Sequence, residues 1–229
     1  MKSWTYVKGL VFFVFFNLSP ADWNVKSGAK VLLVLGTTVG LMAVDKNIQD
    51  YVHQDLGLSG KNVLWLERGL NGASLTGYMT VAYVAGLALK NNAITRITLV
   101  CAEGFVLSGA ATQVLKYVFG RHRPNSMDPS TTWDGPRIKR DQAKWPSFPS
   151  SHTAVVFAIA TVLFFEVRNK WVGGTAFLLA VLTGITRVIK SQHWASDAFF
   201  GGVLGYVIAR RLLEYNSCWK IKEKKNPVS

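Results

Sequence analysis

Six apolar runs recur along the chain, at Ala29–Val44, Leu75–Leu89, Ile97–Leu115, Thr153–Val167, Trp171–Ile189 and Ala198–Leu213. Most fall short of the roughly 20 residues that a helix needs to cross a bilayer, so each must borrow flanking residues or sit in a locally thinned membrane. Glycines inside them, in "VLGTTVG", "YVAGLAL" and "GGVLGYV", permit the close contact by which helices associate in lipid. Six such runs in 229 residues, 49% of them hydrophobic, point to an all-α fold, a polytopic membrane bundle of six transmembrane helices. No internal repeat, low-complexity segment or interior linker divides it, so residues 1–229 read as one membrane-embedded domain.

Charge orients the bundle. Lys2, Lys8 and Lys26 precede the first run, Lys90 and Arg96 separate the second and third, Arg168 and Lys170 the fourth and fifth, and Arg210, Arg211 and "KIKEKK" follow the sixth. With six crossings these share one side, and the excess of Lys and Arg on cytoplasmic loops makes that side the cytoplasm, both termini included. The early stretch "GLVFFVFFNLSP" is short and lacks a small-residue cleavage site, so residues 1–27 read as an interfacial segment. Residues 45–74 and 117–151 then lie at the outer face, and 214–229 form a solvated cytoplasmic tail. His53 lacks a partner motif and reads as a surface histidine, whereas Glu103, a carboxylate in mid-run, is expected to bond a neighbouring helix. Cys101 and Cys218 suit neither a disulfide nor a metal site.

The net charge of +13 is not all topology. The outer segment 117–151 carries Arg121, Arg123, Arg137, Lys139, Arg140 and Lys144 on the side where bases are least expected, which an anionic substrate would explain. Arg137, Lys139 and Arg140 suit anionic lipid or a substrate headgroup. Nucleic acid is excluded as a partner, because the bases sit at membrane boundaries rather than on a soluble face with interleaved aromatics.

Three clusters stand at the outer ends of runs: "KYVFGRHRP" closing the third, "PSSH" opening the fourth, and "TRVIKSQHWASD" joining the fifth to the sixth. Alternate crossings run in opposite directions, so the three converge on one face. They supply Lys116, Arg123 and Arg187 as cations, Ser150 and Ser151 with the N–H groups of a helix start, two histidines and a carboxylate. That is what a phosphate dianion, or a phosphoryl group in transfer, requires. His193 and Asp197 are spaced i, i+4 and share a helical face. A carboxylate on one ring nitrogen would leave the other's lone pair as a nucleophile, while His152 across the site could protonate the leaving oxygen. Singly, these residues equally suit headgroup snorkelling (Lys116, Arg121, Arg123) or helix capping. Jointly, nine specified letters at fixed spacings arise by chance less than about once in a million, at about one in 20 per letter.

Lys116 and Arg123-Pro124 with six residues between them, then Pro149-Ser150-Ser151-His152, then Arg187 and His193 with five residues between them and three more before Asp197, resemble the three-part signature of the type 2 phosphatidic acid phosphatase superfamily. The resemblance implies that Lys116, Arg123 and Arg187 hold phosphate, that His193 becomes phosphorylated with Asp197 behind it, and that His152 protonates the leaving group. Two letters depart from the family pattern: Ser151 where it has glycine, and Thr186 where it has serine. Serine can still present its N–H unless its φ is positive.

The reading is therefore a lipid phosphate or lipid pyrophosphate phosphatase in a bacterial inner membrane, its site facing the exterior. It needs no metal or other cofactor, since Lys and Arg take the part of Mg²⁺. Undecaprenyl pyrophosphate, phosphatidylglycerol phosphate, phosphatidic acid and lipid A are candidate substrates. A lipid phosphotransferase, a soluble vanadate haloperoxidase of the same superfamily and a non-enzymatic transporter are the rivals.

Overall fold

A computed structural model describes residues 25–136 and 146–225. The expected interfacial segment over 1–27 falls outside these residues but for 25–27, as do Arg137, Lys139, Arg140 and Lys144. Seven helices order the described chain: α1 (Val25–Asp50), α2 (Leu64–Gly69), α3 (Gly72–Ala88), α4 (Asn92–Phe119), α5 (Ser151–Glu166), α6 (Lys170–Ile189) and α7 (Ala195–Lys225). All six apolar runs lie in or against helices, and no strand forms among the described residues, where the one antiparallel bridge pairs Arg121 with Trp133.

Helix starts follow side chains that accept the orphan N–H groups of a first turn. Asn71 accepts from Ser74 N, Asn91 from Ala93 N and Ile94 N, Asn169 from Trp171 N, and Ser150 from Thr153 N. α4 ends at Gly120, whose φ of 59° is the left-handed cap that glycine adopts without strain.

Three helical stretches are long and apolar enough to cross a membrane: Gly28–Asp55, α4 and α6. The 16 residues of α5 reach about 24 Å at 1.5 Å per residue, so α5 is a shorter apolar helix. It needs little lipid contact, because it packs against α4, α6 and α7, and Ala154, Ala158 and Val162 are fully buried. α3 packs on α4 and α1 on α7. The outward faces are apolar, with Leu32, Leu33, Val81 and Val106 exposed, as surfaces meeting lipid require.

The α5–α7 crossing places the site. A Cβ on Gly205 would lie 2.0 Å from the carbonyl oxygen of Ala154, and one on Gly201 2.5 Å from that of Ser150. Glycines four residues apart on α7 therefore let its backbone rest on that of α5, the close approach typical of helices in lipid.

Several expectations are corrected. The outer segment expected to begin at residue 45 starts inside a helix: α1 runs to Asp50, continues as a π-helical turn over Tyr51–Asp55, and buries Asp45. His53 is half-buried and bonded through Nε2 to the Ser191 hydroxyl at 3.0 Å, because that turn packs on the α6–α7 connection. Glu103 is exposed and makes no hydrogen bond among the described residues, since the face of α4 that meets α5 is that of its neighbour Gly104. The tail expected from residue 214 is helical to Lys225, supported at its start by ion pairs from Arg210 and Arg211 to Glu214.

Gly205→Ala should destabilise the protein by about 1–3 kcal/mol, because backbone on both sides must move apart. Gly174→Ala, where an added Cβ meets nothing within 4 Å, should be neutral or mildly stabilising. Thermal unfolding of both variants in detergent checks the contrast.

Candidate active site

The end of α4, the start of α5, the end of α6 and the start of α7 meet at one end of the bundle. Turns tie them together. His122 N–H donates to the Thr132 carbonyl and Asp134 N–H to that of Gly120, folding the loop back along residues 120–122. Ser147 N–H donates to the Arg121 carbonyl at 2.7 Å, and the Trp194 indole N–H to that of His122 at 2.9 Å. The side chain of His122 is gripped between the carboxylates of Asp128 and Asp134.

Arg121 lies at the centre of this scaffold. Far from snorkelling, it is 1% exposed. Its Nη1 donates to Asp197 Oδ1 and the Ser196 hydroxyl, both at 2.7 Å, and its Nη2 to Asp45 Oδ2 at 2.7 Å. Nε and Nη2 also reach the Ser130 carbonyl at 3.0 and 2.9 Å. The rings of Trp133 and Trp194 lie 5.1 and 5.5 Å from the guanidinium carbon, completing a dry, cation-compatible socket. Asp45 also accepts from Ser196 N–H at 3.0 Å, so α1 caps the first turn of α7.

His193 is 2% exposed. Its Nδ1 donates to the Ser147 carbonyl at 2.8 Å, while Asp197 Oδ2 lies 3.8 Å away, beyond hydrogen-bond range. The main chain two residues before the second motif, rather than the carboxylate, fixes the tautomer. Nε2, the other ring nitrogen, keeps its lone pair. Asp197 is instead engaged by Arg121 and by Trp194 N–H at 2.9 Å, closing the first turn of α7 as in a capping box. Burial pushes the His193 pKa down to about 3 from an ordinary 6.5, against the pull of Asp197, so the ring is neutral at neutral pH.

Lys116 is buried, its Nζ donating to the carbonyls of Pro146 at 2.8 Å and Ser147 at 3.3 Å. Lys116 and His193 thus converge on one carbonyl, that of Ser147. Arg123 has a buried Nε–H with no partner among the described residues, and burial lowers its pKa in spite of the Asp197 charge. Arg187, 2% exposed, donates from Nη1 to Gln192 Oε1 at 3.0 Å and Glu67 Oε1 at 3.2 Å. Its Nε and Nη2 both lie 3.3 Å from the Thr186 hydroxyl, so threonine supplies the oxygen that serine gives in the family pattern.

Ser150 differs from its expected use. Its N–H donates to the Asp197 carbonyl at 3.1 Å and its hydroxyl oxygen caps α5, so it joins α5 to α7 instead of facing the site. The N–H groups of Ser151 and His152 are the ones a helix start leaves for an anion. Ser151 has no positive φ and pairs its hydroxyl with that of Thr112 at 2.8 Å, which accommodates serine in the glycine position. His152 is half-buried and makes no hydrogen bond among the described residues. The charges of Arg187, Lys116 and Arg123 reach its ring, and those of Lys116 and Arg123 reach His193.

Sequence reasoning missed Asp45, Glu67 and the Ser147 carbonyl, and took Arg121 for a boundary base. Asp45 and Arg121 carried weak signals, a carboxylate closing an apolar run and an arginine two residues before Arg123. Main-chain acceptors carry none.

The assembly is that of a helical membrane protein with a cluster of cationic side chains where helix ends and returning loops converge. The chain belongs to the PAP2 superfamily, which its residues 97–220 match. Over 109 residues it is 35% identical to the lipid A 1-phosphatase of Porphyromonas gingivalis, a match spanning 47% of this chain but 21% of that protein. The crystal structure of Aquifex aeolicus LpxE aligns with a TM-score of 0.51 at 20% identity, covering 74% of this chain and 94% of that one. That of the first transmembrane PAP2 type phosphatidylglycerolphosphate phosphatase from Bacillus subtilis aligns with a TM-score of 0.55 at 18% identity, covering 81% and 95%. These two are likenesses of fold.

Arg121→Met leaves Asp45 and Asp197 buried without their cation and should cost about 3–5 kcal/mol in denaturant unfolding. The pKa of His193, lowered on folding, contributes stability that is complete above 6.5 and is lost as pH falls toward 3. The stability gap between wild type and His193→Gln should therefore narrow as pH falls from 7 to 4.

Proposed function

We propose that the chain is a metal-independent lipid phosphatase that works through a phosphohistidine at His193. The observation that carries this reading is the His193 ring, buried, neutral, and held by the Ser147 carbonyl so that Nε2 is the free nucleophilic nitrogen. The orphan N–H of Arg123 and the three cations of the motifs support an anionic occupant beside it. Nε2 attacks phosphorus and the bond to the leaving oxygen breaks, that oxygen taking a proton from the His152 imidazolium. The negative charge of the substrate offsets the cations around His152 and favours its protonated form. Water then attacks the phosphohistidine, passes a proton to His152, and releases orthophosphate with His193 regenerated.

Lys116, Arg123 and Arg187, with the N–H groups of Ser151 and His152, spread the charge of the phosphoryl oxygens. Asp197 acts on His193 at 3.8 Å as a fixed negative charge. Ser150 positions the start of α5.

The bundle crosses the membrane six times, with α3, α5 and α7 completing the three longer spans. Both termini lie in the cytoplasm and the site faces the exterior of a bacterial inner membrane, in keeping with the Lys and Arg placement. The substrate is a lipid phosphate monoester or diphosphate. Lipid A and phosphatidylglycerol phosphate, named for its relatives, stand beside undecaprenyl pyrophosphate and phosphatidic acid.

Phosphate release from these lipids by the purified chain should fall at least about 10³-fold in His193→Ala, the nucleophile having no substitute. It should persist in EDTA. Phosphoryl appearing on a second lipid in place of free phosphate would make the chain a phosphotransferase, and turnover surviving in His193→Ala would sink the covalent mechanism.

A further inference from the structure

Glu67 belongs to none of the three motifs. It sits on the short helix α2, in the segment between α1 and α3, yet its carboxylate reaches the heart of the third motif. Oε1 accepts from Arg187 Nη1 at 3.2 Å and Oε2 forms an ion pair with Lys190, while the side chain is 18% exposed. Burial works against its charge, but the pairs with Lys190 and Arg187 prevail and hold the carboxyl below its ordinary range. It is an anion throughout the neutral range.

The cations of the pocket are thereby unequal. Lys116 donates only to neutral carbonyls among the described residues, and the Arg123 Nε–H has no partner. Among the described residues, Arg187 is the one of the three with a carboxylate partner of its own, and Gln192 shares the same nitrogen. Across the cluster, Lys116, Arg121, Arg123, Arg187 and Lys190 face Asp45, Asp197 and Glu67. Among the described residues, Glu67 thus withholds one positive charge at the place where Arg187 supplies it. A phosphate monoester brings about −1.5 to −2 near neutral pH and a diphosphate ester brings more, so a positive charge withheld at Arg187 weighs more on the diphosphate.

We infer that Glu67 is a specificity-determining residue that lowers the positive charge of the phosphate site at Arg187, disfavouring the more highly charged diphosphate relative to a monoester. The inference rests on the phosphatase reading above and specifies which phosphate its site prefers. Glu67 need not touch the substrate. It acts through Arg187, by cancelling one charge while leaving the guanidinium in place, with the Thr186 hydroxyl and Gln192 as its remaining anchors.

The test compares kcat/KM for a lipid phosphate monoester with that for the diphosphate of the same lipid, using the full chain in detergent. Glu67→Gln keeps an acceptor for Arg187 but removes the charge, and should raise the ratio of diphosphate to monoester turnover about five- to tenfold, more at low salt than at high. Glu67→Asp, still anionic, should leave the ratio near that of the wild type. A Glu67→Gln protein in which both rates fall together at an unchanged ratio would overturn the inference and reduce Glu67 to a brace for Arg187. Inorganic phosphate and pyrophosphate, followed by their protection against thermal unfolding, give a readout independent of turnover and should shift the same way. A wild type that neither hydrolyses nor binds any of these ligands would remove the phosphatase reading and this inference with it. A wild type active on the esters, with Glu67→Gln unmoved in both readouts, would remove only the role of Glu67.

Discussion

A single buried guanidinium holds this end of the molecule together. Arg121 joins α1 through Asp45, the returning loop through the Ser130 carbonyl, and α7 through Asp197 and Ser196, at 1% exposure. Three charges out of water are expensive unless every lone pair and proton is met, and here nearly every one is. Asp45 takes Arg121, Ser196 N–H and the Ser196 hydroxyl; Asp197 takes Arg121 and Trp194 N–H. Such a network tolerates little displacement, since a shifted member leaves a buried charge unmet. The positions of Arg123, two residues on, and of His193, just before α7, follow from it.

Around that hub the chain uses backbone where sequence motifs suggest side chains. The Ser147 carbonyl orients His193 and receives Lys116, and the Ser150 N–H binds the Asp197 carbonyl. The second motif is thus a clamp between α5 and α7. Backbone acceptors are well suited to this task, because they carry no charge to cancel the cations beside them and are fixed by the fold rather than by rotamers. The cationic site keeps its field as a result, and among the described residues Glu67 is the carboxylate set against its motif cations from outside the three motifs.

Glycines make the arrangement reachable. At Gly201 and Gly205, α7 approaches α5 more closely than any side chain allows, which brings the first turn of α7 onto the cap of α5. The bundle geometry and the site geometry are one feature, since the same crossing that buries Ala154 and Ala158 seats Asp197 beside Ser150.

The sequence by itself determined the helices, because apolar runs and their Asn and Ser caps are local properties of the chain. It also determined which letters gather at one end, because consecutive helices alternate in direction. It placed Lys116, Arg123, Arg187, His152, His193 and Asp197 together for that reason. Only the tertiary structure decided their partners. That His193 leans on a carbonyl rather than on Asp197, that Asp197 serves Arg121, and that Asp45 and Glu67 reach in from α1 and α2 depend on contacts between segments 46 to 151 residues apart. Spacing records which residues share a helix face. It does not record which distant backbone atom will lie within 3 Å, because that follows from how closely whole helices pack.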